Sequence, residues 1–221
     1  MTELAARLRG LQDRIRRACE DCGRDPLSVE LLAVSKFHPV EAIREASGFG
    51  LTVFAENYVQ AGCAKAEVLP DLDFVLIGPL QRNKAKPALL HFTEIMTVDR
   101  PEIATRLRLL AEELDVRCGV WIQVDLWGEA TKMGGCPREA IPSVLDALGT
   151  NTRLALRGFM AIPPPGLDRA FGELAQLRDE WQQRLSMPFR LSMGMSDDLE
   201  KAIRAGSNQV RIGTALFGER P

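Results

Sequence analysis

The sequence predicts an α/β fold: a single (β/α)8 (TIM) barrel, with one extra helix at the start of the chain. Three observations carry this reading. Eight short apolar runs alternate with helical segments along the chain. Such alternation makes βαβ units and a parallel sheet, and eight units favour closure into a barrel. The length, 221 residues, lies between the roughly 200-residue minimum and the ~250 residues typical of such barrels. No linker, low-complexity tract or long charge run divides the chain, so residues 1–221 read as one domain. The competing architecture, a doubly wound sheet, is weakened because no G-x-G-x-x-G follows an early strand.

Leu4, Leu8, Leu11, Ile15 and Ala18 recur at three- and four-residue spacing and mark an amphipathic helix that stops at Gly23. Its other face carries Arg7, Arg9, Arg14, Arg16 and Arg17, which read as a solvated face of a packed helix. The first strand spans 29–34, followed by a helix over 39–47 with Pro39 in its first turn. The second pair spans 51–55 and 58–68. The third strand, 74–77, is followed by a helix reaching Leu90. Four further pairs follow at 94–98 and 101–114, 119–125 and 137–148, 154–160 and 167–185, and 189–192 and 197–205. The eighth strand is 209–212. Pro163, Pro164 and Pro165 form a rigid loop after the sixth strand.

Composition excludes several classes. The 28 Lys and Arg against 30 Asp and Glu give a net charge of −2, so no global basic field exists to steer nucleic acid. No apolar run approaches the ~20 residues of a membrane span, and the N-terminus lacks the h-region of a signal peptide. Five scattered cysteines imply a reducing compartment and no disulfide framework, so a cytoplasmic location is expected. Cys19 and Cys22 form a C-x-x-C without a second ligand pair. They read as ordinary helix residues, and no metal site is expected.

In this fold, chemistry sits at the C-terminal ends of the strands. Those ends carry Ser35-Lys36, Glu56-Asn57, Gly78-Pro79, Asp99, Asp125, Met160, the segment 192–196, and Arg211 with Gly213-Thr214. Lys36 follows an uncharged run. Desolvation there would make its neutral amine available to an aldehyde, whereas the plain alternative is a rim lysine reaching water. The 194–198 and 213–214 segments carry glycines and hydroxyls after strands seven and eight, where such barrels commonly bind phosphate. Ser196 is a natural N-cap there, and the plain alternative is simple capping of two short helices.

The segments AVSKFHPVEAIREA, FAENYVQ, FVLIGPLQRNKAK, IQVDLWGEATKMG, LRGFMAIPP and LSMGMSDDLEKAI, with VRIGTALFGER, occur in order and cover nearly the whole chain. Together they closely resemble the YggS/PROSC family of pyridoxal 5′-phosphate (PLP) homeostasis proteins. That resemblance implies the barrel of the alanine racemase N-terminal domain. It implies that Lys36 forms an aldimine with PLP, and that Ser196, Gly213 and Thr214 hold the phosphate. Arg211 would face the pyridine nitrogen, Asn57 would lie beside the cofactor, and Met193 and Met195 would line the pocket. The implied role is PLP binding in vitamin B6 homeostasis without substantial turnover. PLP-dependent apo-enzymes are the expected recipients. Pro79 and Asp125 depart from the family, which usually has His and often Asn at those positions.

The alternative is a small PLP-dependent amino-acid racemase. An arginine at the pyridine nitrogen weakens the ring as an electron sink, although alanine racemase works with the same arrangement. Alanine racemase also takes a second base, a tyrosine, from a separate β domain of its partner subunit. No room for such a domain is expected once a barrel has used the chain, and a monomer is expected. The lone tyrosine, Tyr58, is either a hidden second base or a residue that packs or touches the cofactor edge. His38 either tunes Lys36 or caps its loop. Arg82, Lys84 and Lys86 either draw an anion or form a solvated helix face. Glu129 and Lys132 read as a surface pair.

Overall fold

The structure is a computed structural model and describes residues 2–128, 134–150 and 153–219. Eight strands form a closed barrel in chain order, as the alternating pattern predicts, and the recorded strand pairs are parallel. The strands are β1 Glu30–Val34, β2 Val53–Glu56, β3 Asp73–Leu76, β4 Glu94–Val98, β5 Cys118–Val124, β6 Leu154–Ala161, β7 Arg190–Ser192 and β8 Gln209–Ile212. The helices are α1 Glu3–Glu20, α2 Val40–Ser47, α3 Val59–Val68, α4 Ala85–His91, α5 Pro101–Leu114, α6 Ile141–Leu148, α7 Arg169–Leu185, α8 Leu199–Arg204 and α9 Thr214–Phe217. Glu129 and Lys132 lie outside the described residues. None of the described helices is long and apolar enough to cross a membrane.

The chain forms two compact units, Met1–Ala55 with Gly166–Pro221, and Glu56–Pro165. In the first, α1 buries Leu4, Leu8, Leu11, Ile15 and Ala18, the stripe legible in the sequence, and Cys19 beside it. Thr2 caps the helix, its Oγ1 accepting from the Ala5 N–H at 3.3 Å. Cys19 is a buried helical residue, while Cys22 lies in the turn that follows and donates its Sγ to the Ala18 carbonyl. β1 pairs with β8 over four residues, with Leu32 opposite Arg211 and Ala33 opposite Ile212. α7 buries Ala170, Phe171, Leu174, Leu177 and Trp181, again at helical spacing.

The second unit centres on β5, all seven of whose residues are buried. Trp121 is fully buried, and its indole N–H donates to Glu94 Oε2 at 2.6 Å. Arg157 Nε meets the other Glu94 oxygen at 3.2 Å. α5 turns Ile103, Ala104, Leu107, Leu110 and Ala111 inward. The thiols of Cys118 and Cys136 are pushed up to about 12, first by burial, so they are protonated and unreactive at neutral pH.

Several boundaries differ from the sequence reading, such as the second strand, which starts at Val53. Pro39 is the cap of α2 with extended backbone (ψ 167°), and the helix starts at Val40. The helix expected from 137 begins at Ile141, after a 3-10 turn over Arg138–Ala140. α9 was absent from the periodicity because four residues are too few to show one.

Truncating a core residue measures how far this packing carries stability. Leu107→Ala should cost about 2–5 kcal/mol. The urea midpoint should fall while the slope of the transition stays unchanged.

Candidate functional site

The first unit holds most of the residues singled out in the sequence. β1 ends at Val34, and Ser35–His38 form a tight turn in which the His38 N–H donates to the Ser35 carbonyl at 3.1 Å. Lys36 and Phe37 are the central residues of that turn. Phe37 has φ 68°, the left-handed region, and its ring is 48% exposed. A non-glycine residue there costs roughly 1–2 kcal/mol, so its surroundings must hold the turn in shape. Ser35 is fully buried, and its N–H donates to the Ala55 carbonyl at 3.0 Å. The buried His38 ring stacks on Phe217 of α9, with centroids 4.9 Å apart. His38 therefore serves the loop by packing, and it ties the Lys36 turn to the segment that follows β8. Lys36 itself is half-buried.

Arg211 lies on β8, level with Leu32 of β1. Its side chain is buried, and Nη1 donates to the Ser192 carbonyl at 2.7 Å and to Ser192 Oγ at 2.9 Å. Desolvation pulls its pKa down to about 10, against the opposing pull of Asp198. It remains a cation at neutral pH. The Ser192 hydroxyl donates in turn to Gln209 Oε1 at 2.8 Å, so the three side chains form one buried polar network.

Above Arg211 the chain turns sharply. Gly213 lies so close to β1 that a Cβ would stand 3.4 Å from the Val34 carbonyl oxygen. Its own carbonyl accepts from both the Leu216 and Phe217 N–H groups at 2.9 Å. Thr214 is exposed at the start of α9.

The loop after β7 departs from its expected cap. α8 starts at Leu199 with Asp198 as its N-cap residue, so Ser196 is not the cap. Asp198 reaches back instead, and its Oδ1 accepts from the Met195 N–H at 2.6 Å. Gly194 permits this path. Its φ is 95°, and a Cβ would lie 2.5 Å from the Ala202 Cβ. The positive φ also breaks the two-residue alternation, so Met193 is fully buried whereas Met195 is 42% exposed.

Arg14 of α1 supplies the contact that sequence reasoning missed. Its Nε and Nη2 form a fork on Glu200 at 2.7 and 3.0 Å, and Nη2 also donates to the Ser196 carbonyl at 2.9 Å. Nothing in an arginine on a helix's polar face signalled that role. Its hydrogen bond to Glu200 holds that carboxyl below the usual carboxylate range. Arg7 and Arg16 of the same face pair with Glu3 and with Asp13 and Glu20, and Arg9 and Arg17 are exposed.

The remaining expectations fall in the second unit. Asn57 follows β2, and Gly78 is pressed against it: a Cβ on Gly78 would overlap the Asn57 carbonyl. The Gly78 carbonyl accepts from Thr97 Oγ1 at 2.8 Å. The glycine between Ile77 and Pro79 was the only sequence signal of that close approach. Glu56 is buried and paired with Lys65 Nζ at 2.6 Å. Tyr58 stands at the start of α3 and is 56% exposed. Pro79, Arg82 and Lys86 are exposed, and Lys84 is half-buried. Asp125 is committed locally, its Oδ1 accepting from the Trp127 and Gly128 N–H groups.

The sequence profile of the alanine racemase N-terminal domain matches residues 7–221. The pyridoxal phosphate homeostasis protein of Pseudomonas aeruginosa is 44% identical, covering 100% of this chain and 97% of that protein. The pyridoxal phosphate homeostasis protein of Vibrio cholerae is 42% identical over 100% of this chain and 98% of its own. Among solved structures, PipY of Synechococcus elongatus PCC7942 with PLP bound superposes with a TM-score of 0.85. It is 36% identical, covering 98% of this chain and 100% of that one.

Two measurements check the geometry of the loop after β7. Gly194→Ala should destabilise the protein by more than about 1 kcal/mol, since both the left-handed backbone and the Ala202 contact oppose a side chain. For Glu200 the folded pKa is depressed. Its contribution is present above the ordinary glutamate pKa and is lost as pH falls through the folded value. Glu200→Gln should therefore be less stable than wild type near neutral pH by about 0.5–1 kcal/mol, as befits a part-exposed pair. The gap should close in acid when thermal unfolding is followed against pH.

Proposed function

The chain belongs to the alanine racemase N-terminal domain family and, within it, to the pyridoxal phosphate homeostasis proteins; from that premise we propose that it binds PLP at the ends of β1, β7 and β8, and that it holds the cofactor for the cell instead of turning over a substrate. One observation supports this reading most: a buried arginine on β8, paired in register with the strand that delivers Lys36.

The chemistry of the groups fits the cofactor. PLP supplies an aldehyde, a ring nitrogen able to accept a hydrogen bond, and a phosphate dianion. This unit offers an amine at Lys36, a buried cationic donor at Arg211, and hydroxyl and N–H donors at Ser196, Gly213 and Thr214. Arg211 Nη1 is held by the carbonyl and hydroxyl oxygens of Ser192. Gly213 leaves the strand end bare of a side chain, which a phosphate needs for close approach.

Each residue then has a task. Lys36 Nζ would provide the covalent anchor. Arg211 would donate to the ring nitrogen and, as a cation at neutral pH, disfavour a proton there. Buried Met193 and exposed Met195 contribute apolar surface beside the phosphate loop. An unprotonated ring would be a weak electron sink, which is compatible with holding, although alanine racemase works with the same arrangement. The Ser192–Gln209 network fixes the guanidinium within the strand framework.

Incubation with PLP followed by borohydride reduction should place the added mass on the Lys36 peptide. Lys36→Ala should lose both that label and the visible absorption of the complex. Retention of either in the variant would contradict the anchor. The holding role predicts α-proton exchange with deuterated water at the rate of free PLP for a panel of amino acids. Rapid, Lys36-dependent exchange or D/L interconversion would establish a racemase in its place.

A further inference from the structure

α1 precedes the eight β/α units and belongs to none of them. In this protein it grips α8 at both ends. Near its start, Arg14 forks onto Glu200 and donates to the Ser196 carbonyl. Near its end, Arg204 meets Asp21 at 3.2 Å, and Arg24, just beyond α1, donates to the Ile203 carbonyl at 2.6 Å. α1 also abuts the segment after β8, where a Cβ on Gly218 would stand 2.8 Å from Arg7 Nη1. The two loops assigned to the phosphate are thus both backed by one helix.

α8 has six residues and no side-chain cap bond, so it fixes little by itself. Its preceding loop is held by the Asp198–Met195 contact and by the Arg211 N–H donating to the Gly194 carbonyl at 3.0 Å. Neither contact sets the plane of the Ser196–Asp197 peptide. Arg14 does. No peptide bond among the described residues is cis, and in a planar trans peptide C=O and N–H point in opposite directions. Holding the Ser196 carbonyl toward α1 turns the Asp197 N–H to the side away from α1. The Glu200 fork keeps the guanidinium from swinging off that carbonyl, because a bidentate pair fixes orientation as well as distance.

We propose that Arg14 is a positioning residue for the phosphate loop: from α1, outside the β/α repeat, it sets the peptide plane beside Ser196 and thereby tunes affinity for the phosphate of the bound cofactor. This rests on the PLP reading above and adds to it a residue that touches no ligand. The exposed Arg17, one turn along the same helix, has no such contact and serves as the matched control for charge.

The test compares PLP with pyridoxal, which carries the aldehyde but no phosphate. Both are titrated against wild type, Arg14→Gln, Glu200→Gln and Arg17→Gln, and binding is followed by visible absorption and by tryptophan fluorescence. Arg14→Gln should weaken PLP 5- to 30-fold, within the range expected for a lost charge-assisted contact, and change pyridoxal less than twofold. Glu200→Gln keeps the guanidinium but loosens it, and should weaken PLP 2- to 5-fold with the same selectivity. Arg17→Gln should leave both ligands unchanged. Equal weakening of PLP and pyridoxal would assign Arg14 a general structural role and overturn the proposal. So would wild-type affinity for PLP in both Arg14→Gln and Glu200→Gln. If Arg14→Gln does not fold, the Glu200→Gln split alone decides. Failure of wild type itself to bind PLP would be seen in the first titration and would remove the PLP reading together with this one.

Discussion

β1 lies beside β8 with Leu32 opposite Arg211, and the site depends on that one pairing. It brings a buried guanidinium on one strand next to the strand that delivers Lys36, and it brings Gly213 within van der Waals reach of the Val34 carbonyl. A buried cation is expensive unless its donors are satisfied. Ser192 accepts from Nη1 with its carbonyl and its hydroxyl, and its hydroxyl in turn donates to Gln209. Gln209 Nε2 also donates to Glu30 of β1 at 3.2 Å, so β7, β8 and β1 are bound to one another by a polar network as well as by strand pairing. Shifting any of them by one residue would strand a charge in the interior.

The same constraint separates what is rigid from what is tuned. Arg211 sits in the strand framework, and burial lowers its pKa only to about 10, so its charge is constant under physiological conditions. Lys36 and the loop after β7 sit on turns. One turn holds Phe37 in the left-handed region and is steadied by the His38 stack on Phe217. The other depends on Gly194 and is steadied by Arg14 from α1. Each turn at the strand ends is thus supported by a side chain reaching in from a different element.

Much of this was legible in the sequence, and the reason is periodicity. The eight apolar runs and the stripes of α1, α5 and α7 are long enough to show their repeat, so the barrel and its element order followed directly. Lys36 and Arg211 stand out in the sequence because a charged residue at the end of an apolar run is conspicuous. The misses have a common cause. α8 starts at Leu199 with Asp198, not Ser196, as its N-cap residue, and the Asp198 carboxylate turns back to the Met195 N–H, which spacing alone does not reveal. Arg14 makes its contacts 182 and 186 residues away in the chain, so no local pattern reports them. Gly78 against Asn57 and the four-residue α9 likewise follow from tertiary packing. The cysteines show the same limit: Cys118 and Cys136 become inert through burial that their positions in the sequence do not display.

The central claim is that one unit of this chain presents Lys36 and Arg211 to the two ends of the pyridoxal ring system. A crystal structure of the protein grown with PLP tests it most directly. The account predicts continuous density from Lys36 Nζ to the cofactor, the Arg211 guanidinium within hydrogen-bonding distance of the ring nitrogen, and the phosphate among Ser196, Gly213 and Thr214. Density for PLP elsewhere on the molecule, or a ring nitrogen facing a carboxylate in place of Arg211, would contradict it.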